Sequence, residues 1–213
     1  MEEQKVSKTK VLIEGGQGEI VEKKSRFIAD IRKVESEEEA AAFIEEIKKK
    51  YWDARHHCSA FVIGQKGQLT RCSDDGEPSG TAGRPMLEVL LGEGICDIAV
   101  VVTRYFGGVL LGTGGLVRAY SAAVKEGLRN CVTGYRRLGA KIEVQTDYTG
   151  LGKLQYLLAS RQISPIGEEY GADVKLRLLI PAEEAESLKA ELTDALNGRI
   201  GWEKLEERYY IEQ

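Results

Sequence analysis

Residues 98–120 read Ile98-Ala99-Val100-Val101-Val102-Thr103-Arg104-Tyr105-Phe106-Gly107-Gly108-Val109-Leu110-Leu111-Gly112-Thr113-Gly114-Gly115-Leu116-Val117-Arg118-Ala119-Tyr120, and this order decides how the chain folds. The apolar run Ile98 to Val102 has the length and β-branched content of a strand buried on both faces. A glycine-rich loop follows. Leu116, Val117, Tyr120, Val124 and Leu128 then recur at helical spacing and predict a helix over 115–129. A helix that starts from a glycine loop leaves its first amides and the positive end of its dipole where a ligand can approach closely. Arg104 and Arg118 flank the loop and can supply charge for a phosphate or carboxylate.

Upstream, Val11 to Glu22 and Arg26 to Val34 are short β-patterned runs around Lys23-Lys24-Ser25, which predicts an early antiparallel pair. Ser36 with Glu39 three residues on has the form of a capping box, and Ala40, Phe43, Ile44, Ile47 and Tyr51 then share a helical face. Glu45 with Lys49 and Glu46 with Lys50 fit pairs on the outer face. Ser59 to Ile63 and Gln68 to Cys72 predict a hairpin around Gly64-Gln65-Lys66-Gly67. Ser73 to Pro85 is too acidic, small and glycine-rich for a core, and Met86 to Leu91 reads as helical with its start set by Pro85.

After Asn130 the pattern changes, which predicts two domains, 1–134 and 135–213. Ala140 to Thr146 alternates as a strand, and Asp147 can cap a helix with Leu151, Leu154, Leu157 and Leu158 on one side. Ile163 to Tyr170 and Val174 to Ile180 form a hairpin across Gly171-Ala172-Asp173. Pro181 starts a second helix bearing Ala185, Leu188, Leu192 and Leu196, which Gly198 ends, and Arg199 to Ile211 supplies a last strand. The order is β-α-β-β-α-β, the split βαβ or ferredoxin-like arrangement. The fold class expected for the whole chain is α+β.

In 213 residues acidic groups (34) outnumber basic ones (30), so a nucleic-acid partner would have to be held by a local basic patch rather than by the field of the whole chain. Cys58, Cys72, Cys96 and Cys131 are widely spaced in apolar or small-residue contexts and read as reduced core residues. His56-His57-Cys58 lacks a second ligand pair, so no metal is assigned. The start Met1-Glu2-Glu3-Gln4-Lys5 has no apolar signal core, and no stretch approaches the roughly 20 apolar residues of a membrane span. The expected location is cytoplasmic, with no membrane partner.

Among chemical motifs, G-x-G-x-x-G fails because Val117 stands where the third glycine is needed, and no Gly-Lys-Ser/Thr follows for a Walker loop. On the residues alone Gly107, Gly108, Gly112, Gly114 and Gly115 admit two readings, an anion cradle or tight strand-to-helix packing. Tyr105 and Phe106 can stack on an unpaired base, but alternation turns one of them inward. Asp74, Asp75 and Glu77, with His56 and His57 upstream, are the parts of an acid–base or carboxylate site. Ser79 and Thr81 lack a nucleophile elbow. No reaction class is complete, so no catalytic residue and no cofactor are assigned.

Ser25 to Ala29, Ala54 to Cys58, Ser73 to Gly83 and Val101 to Tyr120 together resemble the YigZ/IMPACT family. The run Arg104-Tyr105-Phe106-Gly107-Gly108 followed by Leu111-Gly112 matches the family signature, as does Asp74 through Gly83. The resemblance implies an N-terminal domain similar to the second domain of a small-subunit ribosomal protein and to domain IV of elongation factor G. It implies a C-terminal ferredoxin-like domain similar to domain V of that factor. Eukaryotic members regulate translation under amino-acid starvation and carry an additional RWD domain. This chain has no room for one, so the layout resembles the bacterial type.

The leading expectation is a non-catalytic protein that binds RNA, the ribosome or a translation factor. It would use Arg84, Arg104 and Arg118 on phosphates, the loop glycines as a cradle, and the adjoining Asp74, Asp75, Glu77 and Thr81 turn. Two alternatives stand beside it. One is an enzyme or binding protein for a phosphorylated small molecule at loop 107–115, with His56 or Asp74 as acid or base. The other is a protein-interaction module that uses the sheet of the C-terminal domain.

Overall fold

The computed structural model describes residues 8–64 and 66–212, so the polar start of the chain and Gln65 of the predicted hairpin turn lie outside the described residues. The chain is α+β and divides into two compact units, Thr9–Tyr135 and Lys8 with Arg136–Glu212.

The first unit contains β1 (Thr9–Glu14), β2 (Gln17–Glu22), β3 (Ser25–Lys33), α1 (Glu37–Lys50), β4 (His56–Ile63), β5 (Leu69–Ser73), α2 (Gly83–Glu93), β6 (Ile95–Cys96), β7 (Ile98–Tyr105) and α3 (Thr113–Arg129). Five strands form a sheet in the order β2-β3-β7-β4-β5, and β7 pairs antiparallel with both neighbours. β7 is apolar from Ile98 to Val102 because both of its faces are covered. On one side Val100 and Val102 join Phe27, Cys58, Met86, Leu90, Leu116 and Tyr120 in a core closed by α2 and α3. On the other, Ala99 and Val101 meet Phe43 and Ile47 of α1. An antiparallel strand covered on both faces reads as continuous, not alternating.

The predicted single run Val11 to Glu22 is two strands. A Cβ on Gly15 would stand 2.2 Å from the Ile31 carbonyl oxygen and one on Gly16 2.4 Å from that of Asn130, so the chain turns where a side chain has no room. β1 then pairs in parallel with β6, and β2 makes the expected hairpin with β3. Ser36 caps α1, accepting the Glu39 amide at 3.1 Å, while the Glu39 carboxylate reaches back to the Glu35 amide at 2.8 Å. The outer acids of α1 pair differently from expectation. Glu45 takes Lys48, Glu46 takes Arg32, and Lys50 reaches Asp30. α2 starts two residues before Pro85 and α3 two residues earlier than predicted.

The second unit takes β8 (Val132–Thr146) from Arg136 onward, then α4 (Tyr148–Ser160), β9 (Gly167–Tyr170), β10 (Val174–Pro181), a 3-10 turn at Ala182–Glu184, α5 (Ala185–Ala195) and β11 (Gly201–Glu212). Within it β10 pairs antiparallel with β8 and β9, and β11 pairs with β8, giving the order β11-β8-β10-β9. Ile142 and Val144 face Leu176 and Leu178, and α4 and α5 bring Leu154, Leu158, Leu188 and Leu192 onto the same core. Asp147 caps α4 through the Gly150 amide at 2.7 Å, as its position predicts. Pro181 closes β10 instead of opening the helix, which follows the 3-10 turn. Among the described residues no helix is long and apolar enough to cross a membrane.

Candidate functional site

The acidic turn 73–83 is built by its own carboxylates. Asp74 accepts the amides of Gly80 at 2.8 Å, Ala82 at 3.0 Å and Gly83 at 2.8 Å, closing the N-terminus of α2, whose cap residue Ala82 has no side-chain acceptor to offer. Partial burial works to raise the Asp74 carboxyl, but the three amides prevail and hold it below its ordinary range. Asp75, at φ +40°, accepts the His57 amide at 2.7 Å. Its carbonyl lies 2.9 Å from His56 Nδ1. A carbonyl accepts only, so Nδ1 carries the proton and Nε2 of the neutral ring is an acceptor. The Thr81 hydroxyl is buried and donates to the Pro78 carbonyl at 2.6 Å. Among the described residues no cluster of acids, histidines and cysteines has metal-holding geometry.

Glu77 turns inward. Its Oε1 accepts Arg104 Nη1 at 2.6 Å and the Tyr120 hydroxyl at 2.8 Å. Cys58 Sγ lies 3.3 Å from that hydroxyl and 3.0 Å from the Asp74 carbonyl. Burial pushes the Cys58 thiol up to about 12. Burial first, then Cys58 and Glu77, keep the Tyr120 phenol protonated far beyond its ordinary range, so it donates. Four elements, β4, β7, α3 and the acidic turn, meet in this polar knot.

Arg104 is therefore not the free phosphate contact expected of it. Its side chain is 8% exposed and opposed by Glu77, and its guanidinium carbon stands over two rings, 5.4 Å from the centroid of Phe27 and 5.5 Å from that of Phe106. Its Nε is buried with no partner among the described residues. Beyond Arg104 opens a cleft of about 470 Å³ lined by Asp53, Ala54, Arg55, His56, Arg104, Tyr105, Phe106 and Leu110. Tyr105 is half-buried and donates its hydroxyl to Asp53 at 2.7 Å, whereas Phe106 is exposed, which settles which of the two rings is free.

The glycine loop divides between the two readings. Gly107 is a packing residue, because a Cβ there would lie 2.0 Å from the backbone of Lys24, and its amide goes to Ser25 Oγ at 3.2 Å. Gly108 and Gly112 have positive φ and open space around them. Gly112 caps α3 with no side chain, so Thr113, Gly114 and Gly115 begin the helix without a side-chain partner. Arg118 Nη1 stands 3.6 Å from where a Gly114 Cβ would be. Gly115 and Arg118 line a hollow of about 220 Å³ with Ile20, Glu22, Lys23, Leu111, Ala119 and Ala122.

Residues 23–128 match the Impact N-terminal domain and residues 144–199 a domain of unknown function (DUF1949). The chain is 44% identical to the IMPACT family member YvyE of Bacillus subtilis over 87% of its own length and 86% of that protein's. It is 41% identical to the IMPACT family member YigZ of Escherichia coli, over 87% of this chain and 92% of that one. The chain belongs to the IMPACT family. A crystal structure described as that of a hypothetical protein shares 40% identity and a TM-score of 0.56, covering 94% of this chain and 99% of that one.

In this IMPACT family chain the site residues expected from sequence separate into three groups. His56, Arg104 and Tyr105 meet at the cleft. Gly112, Gly114, Gly115 and Arg118 meet at the start of α3. Asp74 and Thr81 are engaged within the turn, Asp75 on the His57 amide, and Glu77 on Arg104 and Tyr120. Arg84 is engaged by Glu88 at 2.9 Å along the surface of α2 and lines neither hollow. Asp53, Arg55, Leu110 and the turn residues Lys23 and Lys24 were missed. Arg55 stands beside His56, and Lys23-Lys24 is a dibasic hairpin tip, which is the signal that could have found them.

Proposed function

We propose that this chain is a non-catalytic cytoplasmic protein that binds RNA or the translation machinery through the first unit. One observation carries the reading. Lys23 and Arg118, both exposed and without an ion pair among the described residues, line the hollow at an uncapped helix start, and exposed Lys24 adjoins Lys23. That is the local basic patch an acidic chain needs for a phosphate backbone, since helix amides and cations together favour an anion. Glu22 in the same hollow limits the charge to a few contacts. Exposed Trp52 and Phe106 add aromatic surface of the kind that stacks on unpaired bases.

Family membership supports the same reading, as do the likenesses expected of the two units. The first is taken as similar to domain IV of elongation factor G. The second, with its strand order β11-β8-β10-β9, is taken as ferredoxin-like and similar to domain V of that factor. Likeness of fold alone does not assign a function, so the test addresses the patch. Binding of single-stranded RNA and of ribosomes is measured across a salt series for the wild type and Arg118→Ala. Affinity should fall with salt, and the log–log slope should drop by about one in the variant. Binding indifferent to both salt and the substitution overturns the reading.

A further inference from the structure

We propose that the cleft beside His56 is the seat of one nucleoside monophosphate unit, its base stacked on the outer face of Phe106 and its phosphate held by Arg55. The inference rests on the RNA-binding reading for its natural source, and it names the chemistry the surface takes.

The stack is already partly built. The Arg104 guanidinium carbon stands over the Phe27 ring, 5.4 Å from its centroid, and over the Phe106 ring, 5.5 Å from its centroid. One face of Phe106 rests on the cation, and the ring is still 56% exposed. An aromatic ring held from below, on a backbone pinned next door by the approach of Gly107 to Lys24, loses little freedom when a flat group lands on it. Such a ring is a platform for a base.

The polar groups in the wall specify the rest of the ligand. Arg55 is exposed and has no ion pair among the described residues. Arg104 is more than nine-tenths buried, and its Nε has no partner among the described residues. As a lining residue Arg104 brings a cation to the wall, partly offset by Glu77. His56 offers Nε2 as an acceptor to a base amino group, because Nδ1 is committed to the Asp75 carbonyl.

Charge sets an upper bound. Glu77 offsets Arg104 and Asp53 shares the wall with Arg55, so the wall suits the one to two charges of a phosphodiester or a monophosphate, not the higher charge of a triphosphate. Asp53 keeps one oxygen on the Tyr105 hydroxyl and leaves the other for a ribose hydroxyl. The volume of about 470 Å³ falls within the range of small-ligand sites and admits one nucleotide.

The test titrates the full chain with AMP, CMP, adenosine, ribose 5-phosphate and ATP by calorimetry, and in parallel with a single-stranded hexaribonucleotide. AMP or CMP should saturate one site. Adenosine, ribose 5-phosphate and ATP should each bind about tenfold or more weaker, since each lacks the ring or the phosphate or carries excess charge. Phe106→Ala and Arg55→Ala, both at exposed positions, should weaken AMP by about tenfold with unchanged thermal melting, and Phe106→Trp should restore it.

Loss of hexanucleotide affinity in Phe106→Ala identifies RNA as the source of the nucleotide. Loss confined to AMP identifies a free nucleotide and leaves the seat standing while the RNA reading fails. No saturation by any mononucleotide, or AMP binding unchanged in Phe106→Ala, overturns the seat. The RNA reading then depends on the Arg118 result alone.

Discussion

Arg104 at the end of β7 donates Nη1 to Glu77 at 2.6 Å, and both side chains are almost wholly buried, at 8% and 3% exposure. The signature arginine of the glycine loop is thus a fastener. It ties the central strand to the acidic turn, while its flat face supports Phe106.

Removing one half of such a pair leaves a charge in a place that cannot solvate it. Glu77→Gln should cost about 3 to 5 kcal/mol in urea unfolding, and the double variant Glu77→Leu with Arg104→Met should recover most of that loss. The double variant should also lose the seat on Phe106, because the ring then rests on no cation. Equal stability of Glu77→Gln and wild type would show that the pair is solvated.

The fold was legible where a pattern is local. Ile98 to Val102 could be placed at the centre of the sheet because no alternation survives in a strand covered on both faces. Ser36 and Asp147 announced their helices because a cap is read within four residues. What failed depends on distance. Cys58, Glu77, Arg104 and Tyr120 come from four elements, and nothing in the spacing of 27 residues between Glu77 and Arg104 signals a bond. The arginine was legible as special and illegible as buried. Cys72 misled in the other direction. Its neighbours look like core, but β5 is an edge strand, so the thiol is exposed.

Asp74 closes a helix from eight residues upstream of its cap position, which makes α2 dependent on a single carboxylate. Asp74→Ala should destabilise the first unit by about 2 kcal/mol. The acid limb of the stability curve gives a second check. The folded carboxyl sits below its ordinary value of 3.8, so its contribution is complete above that value and is lost as pH falls through the lower, folded one. Wild type should therefore lose more stability than Asp74→Ala between about pH 5 and pH 2. Parallel curves would remove Asp74 from the capping role.

Gly107 marks the closest approach in the glycine loop, with a virtual Cβ 2.0 Å from Lys24 C and 2.4 Å from Ser25 N. Both obstacles are backbone, which cannot swing aside as a side chain can. Gly107→Ala should lower stability by about 3 kcal/mol, and Gly108→Ala by less, since open space surrounds Gly108 and its cost is the positive φ alone. The ranking, read by thermal melting, separates packing from conformational freedom at adjacent glycines.

The four thiols occupy different environments, and their reactivity should follow burial. Cys58 is buried, and its thiol is raised to about 12, chiefly by loss of solvent. Cys131 is half-buried and raised to about 11 for the same first reason. Cys96 is buried in the core beside β1. Cys72 alone of the four is exposed, and it lies on a strand whose outer edge is unpaired among the described residues. Thiolate is the reacting form, so at about pH 8 an alkylating reagent should modify a single site rapidly in the folded protein. Cys72→Ser should abolish that fast phase and leave only modification limited by unfolding. A fast phase that survives Cys72→Ser would mean that the polar knot around Cys58 opens on the labelling timescale, and that the Arg104 support beneath Phe106 is less rigid than its contacts require.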